Sequence, residues 1–379
     1  MKITDMRVFV VGNPWKNWVF LKIYTDEGIE GLGEATGGLC TKPVVGLLEE
    51  IRHQIIGCDP RNIAGIKERL KKALFLADAG AAGAGIDCAL WDILGKSLNA
   101  PLYRLLGGKC RDVLRTYANG WYQGPRDPVF FAERAREMVS KGYTALKFDP
   151  FGDAYQYMTP GERKLSMQII EAVRVAVGDK ADILIEGHDR FAVSEAICLG
   201  HMMEPYAPMW FETPTYSLDT EAINEVARRI NIPVISGERA TGPQDLAAAL
   251  AGRAINMVNP EYLGVGGVSG LMDCFAVARA YNAYLAPHNA QSPYSTAVNV
   301  HVDAANPNFL IQECFDDSAV DWIDDVLSGY PQGCNGEIAP THTPGIGVVL
   351  NEREAFKHPY GERNFLRLFE TGWEKRNKN

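Results

Sequence analysis

The sequence lacks the features that would place the chain in or across a membrane. Its first ten residues contain no long apolar core followed by small residues, the pattern that marks a secretory signal peptide. No uninterrupted apolar run approaches the roughly 20 residues that a helix needs to span a bilayer. We therefore expect a cytoplasmic protein that has no membrane partner.

Signatures of disulfide-rich, zinc-binding and nucleic-acid-binding proteins are missing as well. The eight cysteines are scattered and form no Cys-x-x-Cys pair, which predicts buried free thiols rather than disulfides or zinc ligands. The formal net charge is −9 and no run is rich in lysine and arginine, so we expect no nucleic-acid partner. An acidic small molecule remains a possible ligand because the charge around a bound metal outweighs the global balance.

Several catalytic motifs are absent too. The sequence has no Gly-x-Ser-x-Gly elbow and no His-x-His pair, which disfavours serine hydrolases and barrel hydrolases with a histidine-bound metal. The glycine-rich run at 264–267 is not followed by the Gly-Lys-Ser/Thr of a nucleotide-binding loop. We interpret this run as a tight turn into a helix.

Two parts of the chain differ in their pattern of helices and strands. Residues 1–115 contain three strands followed by helices, which predicts an α+β domain. Residues 116–335 alternate strands and helices, and the tail at 336–379 becomes strand-like again. The alternation gives about eight strands, the number that closes a barrel. These strands are predicted at 115–118, 145–148, 183–186, 209–211, 234–235, 255–258, 284–286 and 310–312.

This pattern predicts an α/β fold built on a modified (β/α)8 TIM-type barrel. The α+β part at 1–115 would cap the barrel at 116–335, and the tail at 336–379 would return to complete the capping domain.

Three glutamates follow successive strands of the predicted barrel at a constant interval. Glu186, Glu212 and Glu238 each end a short apolar run, and the interval is 26 residues in both cases (212 − 186 and 238 − 212). That interval fits one β/α repeat, so all three carboxylates should lie on the C-terminal face of the barrel. Converging carboxylates repel unless a cation lies between them, and Mg²⁺ prefers oxygen ligands. The pattern predicts a Mg²⁺ site, although a single carboxylate in such a place is more often a helix cap.

Other strand ends carry residues that are suited to proton transfer. Glu261 and His288 follow the sixth and seventh strands, so the carboxylate would bond one imidazole nitrogen and make the other more basic. His188 lies two residues after Glu186 and should face the barrel from the side away from His288. Alone, either histidine would as well be a structural residue with a hydrogen bond to a loop.

Two further strands end in charged residues. Lys147 and Asp149 share the barrel-facing side of the second strand because strand residues alternate, and Glu313 follows the eighth strand. The structural alternatives are a surface lysine and a helix-capping glutamate. The remaining five histidines are predicted to be structural, since none follows a barrel strand: His53, His201, His301, His342 and His358.

Several short motifs along nearly the whole chain resemble the enolase superfamily, in its mandelate racemase-like branch. They lie at 21–28, 85–95, 106–108, 237–239 and 344–347. Within the branch the chain is similar to acid-sugar dehydratases. Segments 117–122, 145–152 and 182–186 resemble the gluconate type, and segments 285–288 and 308–313 resemble the galactonate type.

The resemblance implies one Mg²⁺ per subunit and a set of groups that stabilise an enolate. Glu186, Glu212 and Glu238 match the metal ligands of the family. Lys147 matches a lysine at the end of the second strand, and Glu313 matches a hydrogen-bond donor to the enolate. The implied reaction is the dehydration of an aldonic or related sugar acid to its 2-keto-3-deoxy acid.

The acid and base roles follow from the same resemblance. His288 matches the base that removes the α-proton, Glu261 matches its partner, and His188 matches the acid that protonates the departing hydroxyl. Glu261 stands where the family usually has aspartate, and Asn17-Trp18 stands where the galactonate type has Arg-Trp. The alternatives are a racemase, epimerase or cycloisomerase on the same scaffold, and a non-catalytic sugar-acid-binding relative.

Specificity is expected to lie in first-domain loops that close over the barrel, at 13–18 and 74–82. A homo-oligomer is expected. The candidate substrate contacts are Asp149, Asn17, Trp15, Trp18, Trp121 and Tyr122.

Overall fold

The computed structural model describes residues 1–38, 40–74, 80–315 and 320–375. The chain begins with an antiparallel meander of β1 (Ile3–Asn13), β2 (Lys16–Thr25) and β3 (Glu30–Glu34). Four helices follow the meander: α1 (Thr41–Ile55), α2 (Ile63–Ala73), α3 (Gly80–Ser97) and α4 (Leu102–Leu105). These are the three strands and the helices that the sequence predicts for the first region.

The alanine- and glycine-rich helix α3 packs directly on the meander. Gly31 and Gly33 of β3 lie against the backbone of Ala89 and Gly85 in α3, so a Cβ on either strand residue would clash with the helix. This close approach builds a separate apolar core between the helices and the sheet.

The second region forms a barrel of eight parallel strands. Their order is β10-β9-β8-β7-β6-β5-β4-β11, and backbone bonds between Leu285 and residues 308–310 join β10 to the β11 side. The strands are β4 (Leu114–Ala118), β5 (Ala145–Phe148), β6 (Asp182–Glu186), β7 (Trp210–Glu212), β8 (Val234–Ser236), β9 (Met257–Val258), β10 (Tyr284–Leu285) and β11 (Gln312–Cys314). The predicted barrel with a capping domain is confirmed.

Helices surround the barrel and close its outer core. They are α5 (Pro128–Ser140), α6 (Pro160–Val177), α7 (Val193–Met203), α8 (Thr220–Arg229), α9 (Pro243–Ala251), α10 (Tyr262–Val265), α11 (Gly267–Ala280) and α12 (Pro293–Ala305). A small inner core fills the barrel with side chains from each strand or its flank: Tyr117, Ala145, Leu184, Trp210, Ile235, Met257, Ala286 and Ile311. The barrel is therefore a packed core and not a pore, as expected for this architecture.

The eighth strand differs from its prediction. The sequence predicts it at 310–312, whereas the structure places it at Gln312–Cys314. Phe309 and Leu310 pair with Leu285 in an irregular bridge, so the regular ladder to β4 begins later. Glu313 is thus inside the strand rather than just beyond it.

The C-terminal part of the chain returns to the first region. Gly345 bridges Pro101, the amide of Ile346 donates to Asp92, and Lys16 bridges Phe365. The elements here are α13 (Ile323–Val326), β12 (Leu327–Ser328), β13 (Glu337–Ile338), β14 (Val349–Leu350) and α14 (Glu352–Ala355). Within the described ranges, no helix combines the length and apolarity needed to cross a membrane.

Candidate active site

A cavity of about 240 Å³ lies where the barrel strands end, below the hairpin between β1 and β2 and the C-terminal tail. Charged and polar side chains from the barrel strands form its floor, which the sequence predicts for the C-terminal face of a barrel. The polar lining residues are Lys16, Asn119, Lys147, Glu186, His188, Glu238 and His288.

Lys147 lies at the centre of the buried carboxylates. Its Nζ is 3.2 Å from Glu186, 2.8 Å from Glu212 and 2.9 Å from Glu313. Burial would lower the pKa of Lys147, but the charges of Glu212 and Glu313 outweigh burial and raise that pKa well above its ordinary value. The lysine therefore stays charged and holds three carboxylates together.

Glu186 and Glu212 are direct neighbours in the parallel ladder of β6 and β7. Burial raises the pKa of Glu212 well above its ordinary value, and the charge of Glu186 adds to the rise. Burial would also raise the pKa of Glu186, but the charges of His188 and Lys147 lower it to about 2. One ammonium group is thus shared among more carboxylates than it can neutralise.

The donor set fits a hard divalent cation by its chemistry. Glu186, Glu212 and Glu238 offer only oxygen ligands, which suit Mg²⁺ and not a soft metal. Within the described part of the chain, no three acidic, histidine or cysteine side chains are already gathered as a closed metal site. Glu238 instead lies 3.6 Å from His288. The surplus of buried negative charge is the observation that favours a cation here.

His288 and Glu261 form a pair just beyond the neighbouring strands β10 and β9. His288 Nδ1 lies 2.9 Å from Glu261 Oε2, and the two residues form a parallel bridge. Glu261 also caps α10, because Oε1 accepts the amide of Leu263 at 3.4 Å. Burial would lower the pKa of His288, but Glu238, Glu313 and Glu261 raise it to about 10. Glu261 is therefore both the cap of α10 and the partner of His288.

His188 has its own carboxylate partner. Its Nδ1 lies 2.6 Å from Asp149 Oδ2, and the guanidinium of Arg190 binds the same oxygen. The residue has a φ of 52°, an uncommon conformation for a histidine, and its amide donates to Glu186. The ring of Trp373 packs against the imidazole at nearly a right angle. Asp149 is fully buried behind His188, so it orients the histidine rather than lining the cavity.

Glu313 does not fit the predicted role of hydrogen-bond donor. Its oxygens accept bonds from Asn119 Nδ2 at 2.6 Å, the amide of Asn289 at 2.7 Å and Lys147. Burial would raise the pKa of Glu313, but the charges of Lys147 and His288 lower it to about 2. Glu313 is therefore an ionised acceptor that holds Lys147 and the loop at Asn289.

Four of the six predicted substrate contacts lie outside the cavity lining: Asp149, Asn17, Trp18 and Trp121. Trp18 is in the core against Phe20 and Trp322, and the side chain of Asn17 bonds the backbone of Gly361. The alternation along β2 and the turn before it bring Trp15 and Lys16 to the cavity instead. Of the predicted lid at 74–82, residues 75–79 lie outside the described residues.

Tyr122 lines the cavity, whereas Trp121 lies outside the lining and its indole nitrogen donates to the carbonyl of Lys147. Sequence reasoning did not find the contribution of the tail or of Asn119. The tail contains no recognisable motif, and its residues reach the site only through long-range packing. The apolar lining comprises Trp15, Tyr122, Phe315, Phe365, Leu366 and Leu368.

Two family models match this sequence over most of its length. The model of the N-terminal domain of mandelate racemase / muconate lactonizing enzyme matches residues 8–107, and the enolase C-terminal domain-like model matches residues 131–355. The chain belongs to this family of the enolase superfamily. The family predicted from the short motifs is confirmed.

Relatives within the family include sugar-acid dehydratases, as the sequence predicts. D-gluconate dehydratase of Thermoproteus tenax is 36% identical over 91% of this chain and 70% of that protein. D-gluconate/D-galactonate dehydratase of Picrophilus torridus is 32% identical over 95% of this chain and 93% of that protein. The crystal structure of an enolase superfamily member from Salmonella Typhimurium matches with a TM-score of 0.90 at 31% identity, covering 94% of this chain and 98% of that one.

Proposed function

We propose that this family member is a Mg²⁺-dependent dehydratase that converts an aldonic or related sugar acid, of gluconate or galactonate type, to its 2-keto-3-deoxy acid. The observation that carries the proposal is the pair of histidines, His188 and His288, which line one cavity and each bond a carboxylate through Nδ1. Elimination of water needs a base at one carbon and an acid at the next, and this pair supplies both. The dehydratase relatives support the proposal.

Glu186, Glu212 and Glu238 are the residues that would hold the cation. When bound, Mg²⁺ would supply positive charge beside the substrate carboxylate, where removal of the α-proton creates a second negative charge. Lys147 orients Glu186 and Glu212 and adds a fixed ammonium group at the same place. The ammonium costs no reorganisation during the reaction because its three carboxylate partners already fix it.

His288 would remove the α-proton through Nε2, since Glu261 engages Nδ1. The ring must be neutral to act as a base, yet its pKa of about 10 in the metal-free protein keeps it protonated at neutral pH. Glu238 is the largest of the charges that raise this pKa. A cation held by Glu238 would offset that charge and free the imidazole for its role as base.

His188 would donate its Nε2 proton to the β-hydroxyl, because Asp149 engages Nδ1. The α carbon–hydrogen bond and the β carbon–oxygen bond break, His288 gains one proton, and His188 loses one to the departing water. The enol product then tautomerises to the keto acid. Arg190 and Asp149 keep the acid in place during these steps.

The test is a panel of sugar acids incubated with the protein and Mg²⁺, with detection of 2-keto acids. We expect at least one aldonic acid to yield a keto acid, and chelation of Mg²⁺ to abolish the yield. Exchange of the α-proton with solvent in the absence of any keto acid would contradict the proposal and favour a racemase or epimerase. The charge on Lys147 argues against that alternative, because a second base there would have to lose its proton.

A further inference from the structure

The loop that follows His288 connects the capping hairpin to the proposed base. Lys16 Nζ donates to the carbonyl of Ala290 at 2.7 Å and to Gln291 Oε1 at 2.9 Å. Gln291 Nε2 donates to Glu261 Oε2 at 3.3 Å, and that oxygen also bonds His288 Nδ1. An unbroken series of hydrogen bonds therefore runs from the first domain to the imidazole.

The two partners of Gln291 fix the orientation of its amide. A lysine ammonium group can only donate, so the amide oxygen must face Lys16. An ionised carboxylate can only accept, so the amide nitrogen must face Glu261. Rotating the amide would place its nitrogen against the ammonium group of Lys16 and its oxygen against the carboxylate of Glu261. If either partner moves away, the orientation of the amide is no longer fixed.

Lys16 is held by the closed arrangement of the hairpin tip. The side chain of Asn13 accepts the amides of Trp15 and Lys16 at 3.1 Å each. The backbone of Lys16 bridges Phe365 in the C-terminal tail. The position of the ammonium group thus depends on the hairpin and the tail lying over the cavity.

Glu261 has a particular need for such a contact. A glutamate has one more rotatable bond than the aspartate expected here, so more conformations must be excluded to hold its carboxylate against the imidazole. The amide of Leu263 donates to Oε1 at 3.4 Å, and Gln291 restrains Oε2 from the other side. We propose that Gln291 is a positioning residue that couples closure of the hairpin tip, through Lys16, to the geometry of the Glu261–His288 pair.

The kinetic test is a double-mutant cycle, and it rests on the proposed function because it measures dehydration. Gln291→Leu should lower kcat about tenfold, the size expected for one hydrogen bond to a charged group. In a Glu261→Asp background the retracted carboxylate is out of reach of Gln291, so the same substitution should change kcat less than twofold. Equal losses in both backgrounds, or an unchanged kcat in Gln291→Leu, would overturn the proposal.

Lys16→Met provides a second cycle on the same series of bonds. It should lower kcat by a similar factor, and the loss should not add to that of Gln291→Leu because the two residues act through one contact. Additive losses would contradict the coupling. Gln332→Leu is the matched control, since Gln332 is an exposed glutamine outside the cavity lining, and kcat should stay unchanged.

A measurement without substrate separates this inference from the proposed function. In the metal-free protein, the Nδ1 proton of His288 that faces Glu261 should give a downfield proton resonance, assigned by its loss in His288→Asn. Gln291→Leu should shift or broaden this resonance while the melting temperature stays within a few degrees, and Gln332→Leu should leave it unchanged. An unaltered resonance in Gln291→Leu would overturn the inference even if dehydration is confirmed.

Discussion

The two histidines of the cavity bond carboxylates through the same ring nitrogen, but the charges around the two pairs differ. Around His288, three carboxylates outweigh burial and raise its pKa to about 10. Around His188, the carboxylate of Asp149 is also bound by Arg190, so a buried cation balances it. The two pairs therefore differ in whether a buried cation balances the carboxylate. They do not differ in how the histidine contacts the carboxylate.

This contrast gives a physical reason for the different roles proposed for the two histidines in the elimination of water. Uncompensated negative charge strengthens a proton acceptor, which suits His288 once its ring is neutral. Because Arg190 neutralises Asp149, this carboxylate can orient His188 without placing an unpaired negative charge beside the proposed acid. Two similar pairs can therefore take opposite roles because their surroundings differ, a pattern known from other enzymes with paired groups.

Removing the base should have the largest effect. His288→Asn keeps a polar side chain of similar size but cannot accept the α-proton, so we expect kcat for dehydration to fall about 10³-fold. Exchange of the α-proton with deuterium in D₂O should fall equally, measured by proton NMR. Binding of Mg²⁺ by calorimetry and the circular dichroism spectrum serve as controls. Dehydration within tenfold of the wild type would refute the role of His288.

Removing the acid should separate the two steps. His188→Asn should lower dehydration about 10²-fold, while exchange of the α-proton stays within tenfold of the wild type because His288 is intact. Keto-acid formation and proton exchange are measured on the same samples. If exchange is lost as severely as in His288→Asn, the two histidines do not divide the roles as proposed.

The positions of the three proposed metal ligands and of the proposed base pair could be predicted from sequence because they depend on local geometry. An apolar run that ends in a carboxylate places that carboxylate at a strand end, and the repeat interval places Glu186, Glu212 and Glu238 on one face. The same reasoning predicts that Glu261 lies next to His288. These predictions needed only strand direction and alternation, which short runs of sequence determine.

The rest of the site depends on contacts between distant parts of the chain. Lys16 rather than Asn17 reaches the cavity because of the turn between β1 and β2, and Leu366 arrives from a tail with no regular pattern. The ionisation of Glu313 depends on the charges of Lys147 and His288, which are placed by other strands. Neither the direction of a turn nor the net charge around a carboxylate can be read from a linear pattern.

The charge surplus around His288 should also appear in the stability of the metal-free protein. A pKa raised from 6.5 to about 10 means that the folded state holds a proton that the unfolded state releases. The stabilisation is complete below pH 6.5 and is lost as the pH rises through about 10. We expect the free energy of unfolding to fall by about 2 kcal/mol between pH 7 and 9 relative to His288→Asn. Urea unfolding with EDTA measures this difference, and parallel pH curves for the two proteins would contradict it.

The smallest effect is expected at His301, a histidine that has no carboxylate partner among the residues that the structure describes. His301 is buried against Tyr103, and its Nε2 lies 3.2 Å from the carbonyl of Ile346. Burial lowers the pKa of His301 to about 4, so the unfolded state binds the proton first as the pH falls from 6.5. The wild type should lose about 1 kcal/mol of stability between pH 6 and 5 relative to His301→Gln, measured by urea unfolding. Because His301 lies outside the cavity lining, kcat of the variant should stay within twofold of the wild type. A larger loss of kcat in a variant that unfolds normally would mean that a carboxylate partner is not what separates the two proposed catalytic histidines from His301.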